Sequence, residues 1–144
     1  MMIRELQTAD IDRVADLWLA ANRQAHDFIE PAYWKGSQGQ VRELLPQAEV
    51  YVCEKGGEIL GFAGLDGEYI EGIFVSPDMQ SRGIGKCLLD FLKTKKPELH
   101  LNVYQKNTRA IRFYEREGFR RQGEGLDGAT GERDYAMVWR QKEN

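Results

Sequence analysis

Val75-Ser76-Pro77-Asp78-Met79-Gln80-Ser81-Arg82-Gly83-Ile84-Gly85-Lys86 joins two hydrophobic periods of different kind. Before it, Ile70 to Val75 reads as a strand; after it, Ile84, Leu88, Phe91 and Leu92 recur at helical spacing. The segment is therefore a loop that feeds the N-terminus of a helix. There the first backbone N–H groups lack intrahelical acceptors, and the helix dipole adds positive potential. Gly83 and Gly85 carry no Cβ, so an anion can approach the main chain closely, with Arg82 and Lys86 beside it. The turn from Gln80 through Ser81, Ile84 and Lys86 reads as a pyrophosphate cradle.

Two common phosphate loops do not fit. A P-loop needs four residues between its first glycine and the Gly-Lys pair, whereas Gly83 and Gly85 are separated by one. A dinucleotide fingerprint needs a third glycine where Leu88 stands. What the residues do match is Gln/Arg-x-x-Gly-x-Gly/Ala, through Gln80, Gly83 and Gly85. A second segment, Asn107 to Phe119, reads Asn-Thr-Arg-Ala-Ile-Arg-Phe-Tyr-Glu-Arg-Glu-Gly-Phe. Asn107 or Thr108 can cap a helix there, Gly118 is placed to end it, and Ala110, Ile111, Phe113 and Tyr114 line one face. One helix and one strand, Leu99 to Val103 after Pro97, separate the two segments.

The two elements, in this order and spacing, resemble the signatures of the GNAT superfamily of N-acetyltransferases, and the likeness runs from about Val50 to Phe119. The resemblance implies transfer of an acetyl group from acetyl-CoA to a primary amine by direct attack, without a metal. It implies that main-chain groups of Ile73, Phe74 and Val75 pair with the pantetheine arm, in a gap where that strand splays from the next parallel one. An N–H near Val75 would face the thioester oxygen. Arg82 to Cys87 would hold the pyrophosphate, while Asn107, Ala110 and Phe113 would border the cofactor. Among Lys106, Arg109, Arg112 and Arg116, one would meet the 3′-phosphate, or all form a solvated helix face. The same setting implies Tyr114 as the general acid for the leaving thiolate, the alternative being a core aromatic.

The acceptor amine must be neutral to attack, and a lysine of pKa about 10.4 is neutral only about once in 2,500 molecules at pH 7. Glu71 is the candidate base. It stands four residues before Val75, and strict alternation puts it on one face with Tyr69, Ile73 and Val75. The alternative is a solvent-exposed strand end. His26, Phe28, Tyr33 and Trp34 are candidates for an acceptor wall or for core packing. That cluster, with Val-Tyr-Gln-Lys-Asn at 103 to 107, is similar to a bacterial GNAT subgroup with lysine-acetylating members. Asp127, Glu132 and Asp134 add charge to the late loops, which leaves protein lysine, N-terminus and small amine all open as acceptors. A non-catalytic coenzyme A sensor is the competing reading. His26 and His100 stand too far apart in sequence to suggest a metal site.

The bulk properties agree. At 144 residues, 42% hydrophobic and 30% charged, the chain is expected to be one N-acetyltransferase domain spanning 1–144, globular rather than disordered. Its net charge of −3 argues against general nucleic-acid binding. No apolar run reaches the length of a membrane span, and Met-Met-Ile-Arg-Glu-Leu is no signal peptide. Cys53 and Cys87 are too few for a disulfide framework, so a cytoplasmic setting is expected, as monomer or homodimer. Elsewhere Thr8 is expected to cap a helix carrying Ile11, Val14, Leu17, Trp18 and Ala21. From Asn22 to Gly39 the period breaks, and Val41, Leu44 and Leu45 suggest a short helix stopped by Pro46. Hairpins follow at Lys55 to Glu58 and Asp66-Gly67, and the chain closes with a strand pair, Phe119 to Glu124 and Asp134 to Arg140. The fold class expected is α/β (α+β): a three-layer domain with a central, largely antiparallel mixed sheet.

Overall fold

The computed structural model describes residues 1–142. In chain order it contains β1 (Met2–Glu5), α1 (Ile11–Ala25), α2 (Pro31–Leu44), β2 (Glu49–Lys55), β3 (Glu58–Asp66) and β4 (Tyr69–Val75). There follow α3 (Ile84–Lys95), β5 (Glu98–Tyr104), α4 (Thr108–Arg116), β6 (Arg120–Leu126) and β7 (Arg133–Arg140). The strands form one seven-stranded sheet of order β1-β2-β3-β4-β5-β7-β6, antiparallel except between β4 and β5. Alternation sorts the apolar side chains onto two faces. Val50, Val52 and Phe62 meet Val14, Leu17 and Ala21 of α1 on one. Tyr51, Cys53, Ala63 and Leu65 meet Ile84, Leu88, Leu89 and Leu92 of α3 on the other. The result is the expected three-layer α/β fold.

Three local expectations change. Thr8 does not cap α1; it opens a 3₁₀ turn, Thr8–Asp10, and α1 starts at Ile11. Asp10 anchors that turn, accepting from the Gln7 N–H at 2.8 Å and pairing with Arg4 at 2.7 Å. The break expected between Asn22 and Gly39 is a turn of only five residues, and α2 runs for 14. Pro31 sits in its first turn, where a missing N–H does no harm. Gln38 is buried against α1, donating to the Ala15 carbonyl and to Asp16. A polar buried residue between Gly36 and Gly39 is what hid the helical period.

The third change lies in β4. Pairing steps from Gly64 opposite Gly72 to Leu65 opposite Ile70, so Glu71 is the extra residue of a β-bulge. Ile70, not Glu71, therefore joins Ile73 and Val75 on the α3 side. Tyr69 lies on the opposite face, where its hydroxyl donates to Asn102 Oδ1 at 2.9 Å. The alternation expected for Tyr69, Glu71, Ile73 and Val75 fails because it assumed an unbroken pleat.

Close packing of β3 on β4 needs Gly61. A Cβ there would lie 2.8 Å from the Phe74 carbonyl oxygen and 3.1 Å from Ile84 Cγ2. Gly61→Ala is expected to lower unfolding stability by about 1–3 kcal/mol, the usual range for overpacking, which urea titration reads directly.

Candidate active site

β4 and β5 share one ladder position, Tyr69 opposite His100, and then part. Between the diverging strands runs a groove of about 1190 Å³. One edge of β4, from Ile70 to Val75, thus offers main-chain groups that no strand takes up. At the groove's first end stands the start of α3. Gly83 adopts φ +79° and Ser81 φ +63°, so two left-handed residues shape the cradle where glycines alone were expected to. The N–H groups of Ile84, Gly85 and Lys86 have no intrahelical acceptors. A Cβ on Gly83 would meet nothing within 4 Å, which leaves this turn open to a ligand.

α4 forms the facing wall. Asn107 caps it by accepting from the Ala110 N–H at 3.3 Å, so Asn107 rather than Thr108 is the cap. Gly118, at φ +95°, ends the helix as expected. Arg109 reaches back across the groove to Gln80 Oε1 (2.7 Å) and Ser81 Oγ (2.9 Å), while Gln80 donates to Gln24 of α1 at 2.7 Å. Lys86 pairs with Asp90 and Glu117, and Lys106 with Glu132. Arg112 and Arg116 line the groove without an ion-pair partner among the described residues.

Ile73, Phe74, Val75, Gln80, Ser81, Gly83, Ile84, Gly85, Lys86, Asn107, Ala110, Phe113 and Tyr114 all line this groove, as does Glu71. Arg82 does not. Tyr114 is buried with its ring against Phe113 and Phe119. Burial alone raises the phenol's pKa far above its ordinary value, so it stays protonated at neutral pH. Glu71 moves the same way: burial first, then the charge of Asp66, raise its carboxyl above the ordinary range.

The second end of the groove is aromatic and acidic. His26 and Trp34 line it, stacked at 5.4 Å, together with Tyr104, whose ring meets His26 edge-on. Phe28 and Tyr33 stand behind them, packed on Tyr104 and Trp34 respectively, and do not line the groove. Asn102, which sequence reading passed over, and Tyr104, which it met only within Val-Tyr-Gln-Lys-Asn, also line the groove. Their signal was present in Leu-His-Leu-Asn-Val-Tyr, where polar residues alternate with the buried Leu99, Leu101 and Val103.

His26 also ties the two ends together. Its Nδ1–H donates to Asn22 Oδ1 (3.1 Å), because the Asn22 amide nitrogen is committed to the Trp18 carbonyl. Nε2 is then the acceptor for Asn107 Nδ2 at 3.2 Å. The helix cap of α4 is thus held by a neutral imidazole, and burial lowers the His26 pKa to about 4.

With this geometry in view, likeness to known proteins is specific. Residues 46–121 match the family model of the acetyltransferase (GNAT) domain. The chain belongs to the GNAT acetyltransferase family. Over 120 residues it is 39% identical to the peptidyl-lysine N-acetyltransferase YiaC of Escherichia coli K12, a stretch covering 82% of each chain. The solution structure of apo YjaB from Escherichia coli superposes with a TM-score of 0.86 at 25% identity, covering 98% of both chains. The PaiA N-acetyltransferase of Thermoplasma acidophilum, solved with coenzyme A, shares the fold at TM-score 0.81 and 19% identity, covering 96% of this chain and 98% of its own. The GNAT assignment makes the chain an acyltransferase.

The buried His26 gives a pH signature. Unfolded, it titrates near 6.5, and folded near 4, so the unfolded chain binds the extra proton between those values. Its contribution to stability is complete above about pH 6.5 and is lost as pH falls toward 4. Urea midpoints taken from pH 7.5 to 4.5 are expected to fall more steeply for the native chain than for His26→Gln.

Proposed function

We propose that this protein is an acetyl-CoA-dependent N-acetyltransferase that acetylates a primary amine, with lysine side chains of proteins as acceptors. The carrying observation is the groove opened by the separation of β4 from β5, with a cationic cradle at one end and an acidic, aromatic pocket at the other. Acetyl-CoA, when bound, supplies the acetyl group as a thioester. Residues present fit it: main chain along Ile73 to Val75 for the amide-bearing arm, the first turn of α3 for the pyrophosphate, and Arg112 or Arg116 for a further phosphate. Lysine as acceptor is supported by the names carried by YiaC and YjaB relatives. The reading treats 1–144 as a single catalytic domain, and two free cysteines, Cys53 and Cys87, suit a reducing cytoplasm.

Glu71 and Tyr114 divide the proton work. An amine near pKa 10.4 arrives charged, and Glu71, whose carboxyl is raised by burial, takes a proton from it directly or through water. Raising a carboxylate's pKa makes it a stronger base. Tyr114, held protonated by burial, is the donor for the departing sulfur. His26 is a poor base, because its Nε2 already accepts from Asn107 and its pKa is depressed.

Tyr114→Phe is expected to lower kcat by about 10²-fold or more while leaving coenzyme A affinity within twofold, by calorimetry. For Glu71→Gln the diagnostic is the pH profile of kcat/KM. In the native enzyme activity should fall as pH drops through the raised carboxyl pKa, and the variant should lose that limb. Unchanged turnover in either variant removes that residue from the reaction. Gly83→Val is expected to abolish coenzyme A binding, since valine resists φ +79° and its side chain would enter the open turn.

A further inference from the structure

The cations that line the groove all belong to the cradle or to α4: Lys86, Arg109, Arg112 and Arg116. Among the described residues, the charged side chains lining the far end are the carboxylates Glu71, Asp127 and Asp134, gathered around the Tyr69 phenol. Burial, and then the negative charges of Glu71 and Asp134, raise that phenol's pKa, which marks how near those charges stand.

The three carboxylates differ in what they already hold. Asp127 is satisfied by the Tyr104 hydroxyl at 2.5 Å, the Ala129 N–H at 3.0 Å and the Thr130 hydroxyl at 3.1 Å. Burial alone would raise its pKa, yet those three donors bring it below the ordinary value. Glu71 is the proposed base, so the proton it gains cancels its charge during the reaction. Asp134 has no such duty. Its Oδ1 is buried against Gly125 and has no hydrogen-bond partner. A second orphan lines the same groove: Trp34 is 6% exposed, and its indole N–H lacks an acceptor among the described residues.

Asp134 lines the groove, and among the described residues its carboxylate has neither a hydrogen-bond donor nor an ion-pair partner, so its charge is left for a ligand to meet. The reactive amine cannot be that ligand throughout, because it must lose its charge to attack. We infer that Asp134 is a specificity-determining residue that selects acceptors bearing a second, permanent cation beside the reactive amine. The occupant of this end is a basic peptide segment, a lysine flanked by lysine or arginine. Peptide carbonyl oxygens can also meet the Trp34 N–H, whereas a polyamine brings no oxygen acceptor at all. This inference rests on the acetyltransferase reading of the groove.

The test compares initial rates on three acceptors: a peptide with one lysine flanked by arginines, the same peptide flanked by glycines, and spermidine. The native enzyme is expected to favour the arginine-flanked peptide by about tenfold or more in kcat/KM, mainly through KM, as one charge-assisted contact would give. In Asp134→Asn the ratio between the two peptides should fall below about threefold, with coenzyme A affinity retained by calorimetry. Equal kcat/KM for the two peptides in the native enzyme overturns the inference without needing the variant. So does an undiminished preference in Asp134→Asn, and so does spermidine outrunning both peptides. Transfer to no acceptor, with coenzyme A still bound, defeats the acetyltransferase reading and this inference with it.

Discussion

β4 and β5 are neighbours in a continuous sheet, yet only Tyr69 and His100 face each other before the strands part. Every ligand-facing feature descends from that separation. Parallel strands normally satisfy each other's main chain, so parting them leaves a row of N–H and C=O groups that water or a ligand must meet. The sheet tolerates this because each strand keeps an intact partner on its other side, β3 for β4 and β7 for β5. The bulge at Glu71 adds to the effect, since an extra residue sharpens local twist and turns β4 away from its neighbour. α3 starts a few residues beyond the free edge, and α4 starts just after β5, so both helix N-termini arrive at the mouth of the gap.

Holding such a gap open requires links that do not cross it as strands would. The imidazole of His26 is one, fastened to Asn22 on α1 and to the cap of α4, 81 residues away. The chain Gln24–Gln80–Arg109 is another, joining α1, the cradle loop and α4. Both use polar contacts between elements that share little apolar surface. Hydrogen bonds of this kind contribute about 0.5–1.5 kcal/mol each, too little to build the fold but enough to set the width of a mouth.

The cofactor end was legible in sequence because its determinants are local. Gly83, Gly85 and Gly118 each act on the turn or helix in which they stand, so spacing identified them, while the cap of α4 stayed open between Asn107 and Thr108. Ser81 escaped, since a serine at positive φ has no composition cue. α2 escaped because Gln38 earns its burial from Ala15 and Asp16, partners invisible to periodicity. Glu71, read as a candidate base, does line the groove, but the alternation that singled it out fails, since one bulge reverses the pleat that places it.

The second end of the groove was legible only as scattered residues, His26, Trp34, Glu71, Asp127 and Asp134, and the reason its assembly was hidden is topological. Asp134 faces Gly125 across the β6–β7 hairpin, but it comes beside Tyr104 only because β7 inserts between β5 and β6, a long-range pairing. Its walls come from α1 and α2, more than 90 residues away in sequence. A site built this way separates two demands. On the proposed reading, the turn at Gly83 recognises one invariant ligand and can rest on a contiguous motif. The second end, read as the acceptor side, draws its side chains from α1, α2, β4, β5 and β7 and the loop before β7. On the proposed reading, Asp134 and Trp34 bear on what is admitted, and both stand apart from the turn at Gly83. The free edge of β4 is the one structure common to both demands, which makes the parting of two strands, rather than any single side chain, the condition on which transfer depends.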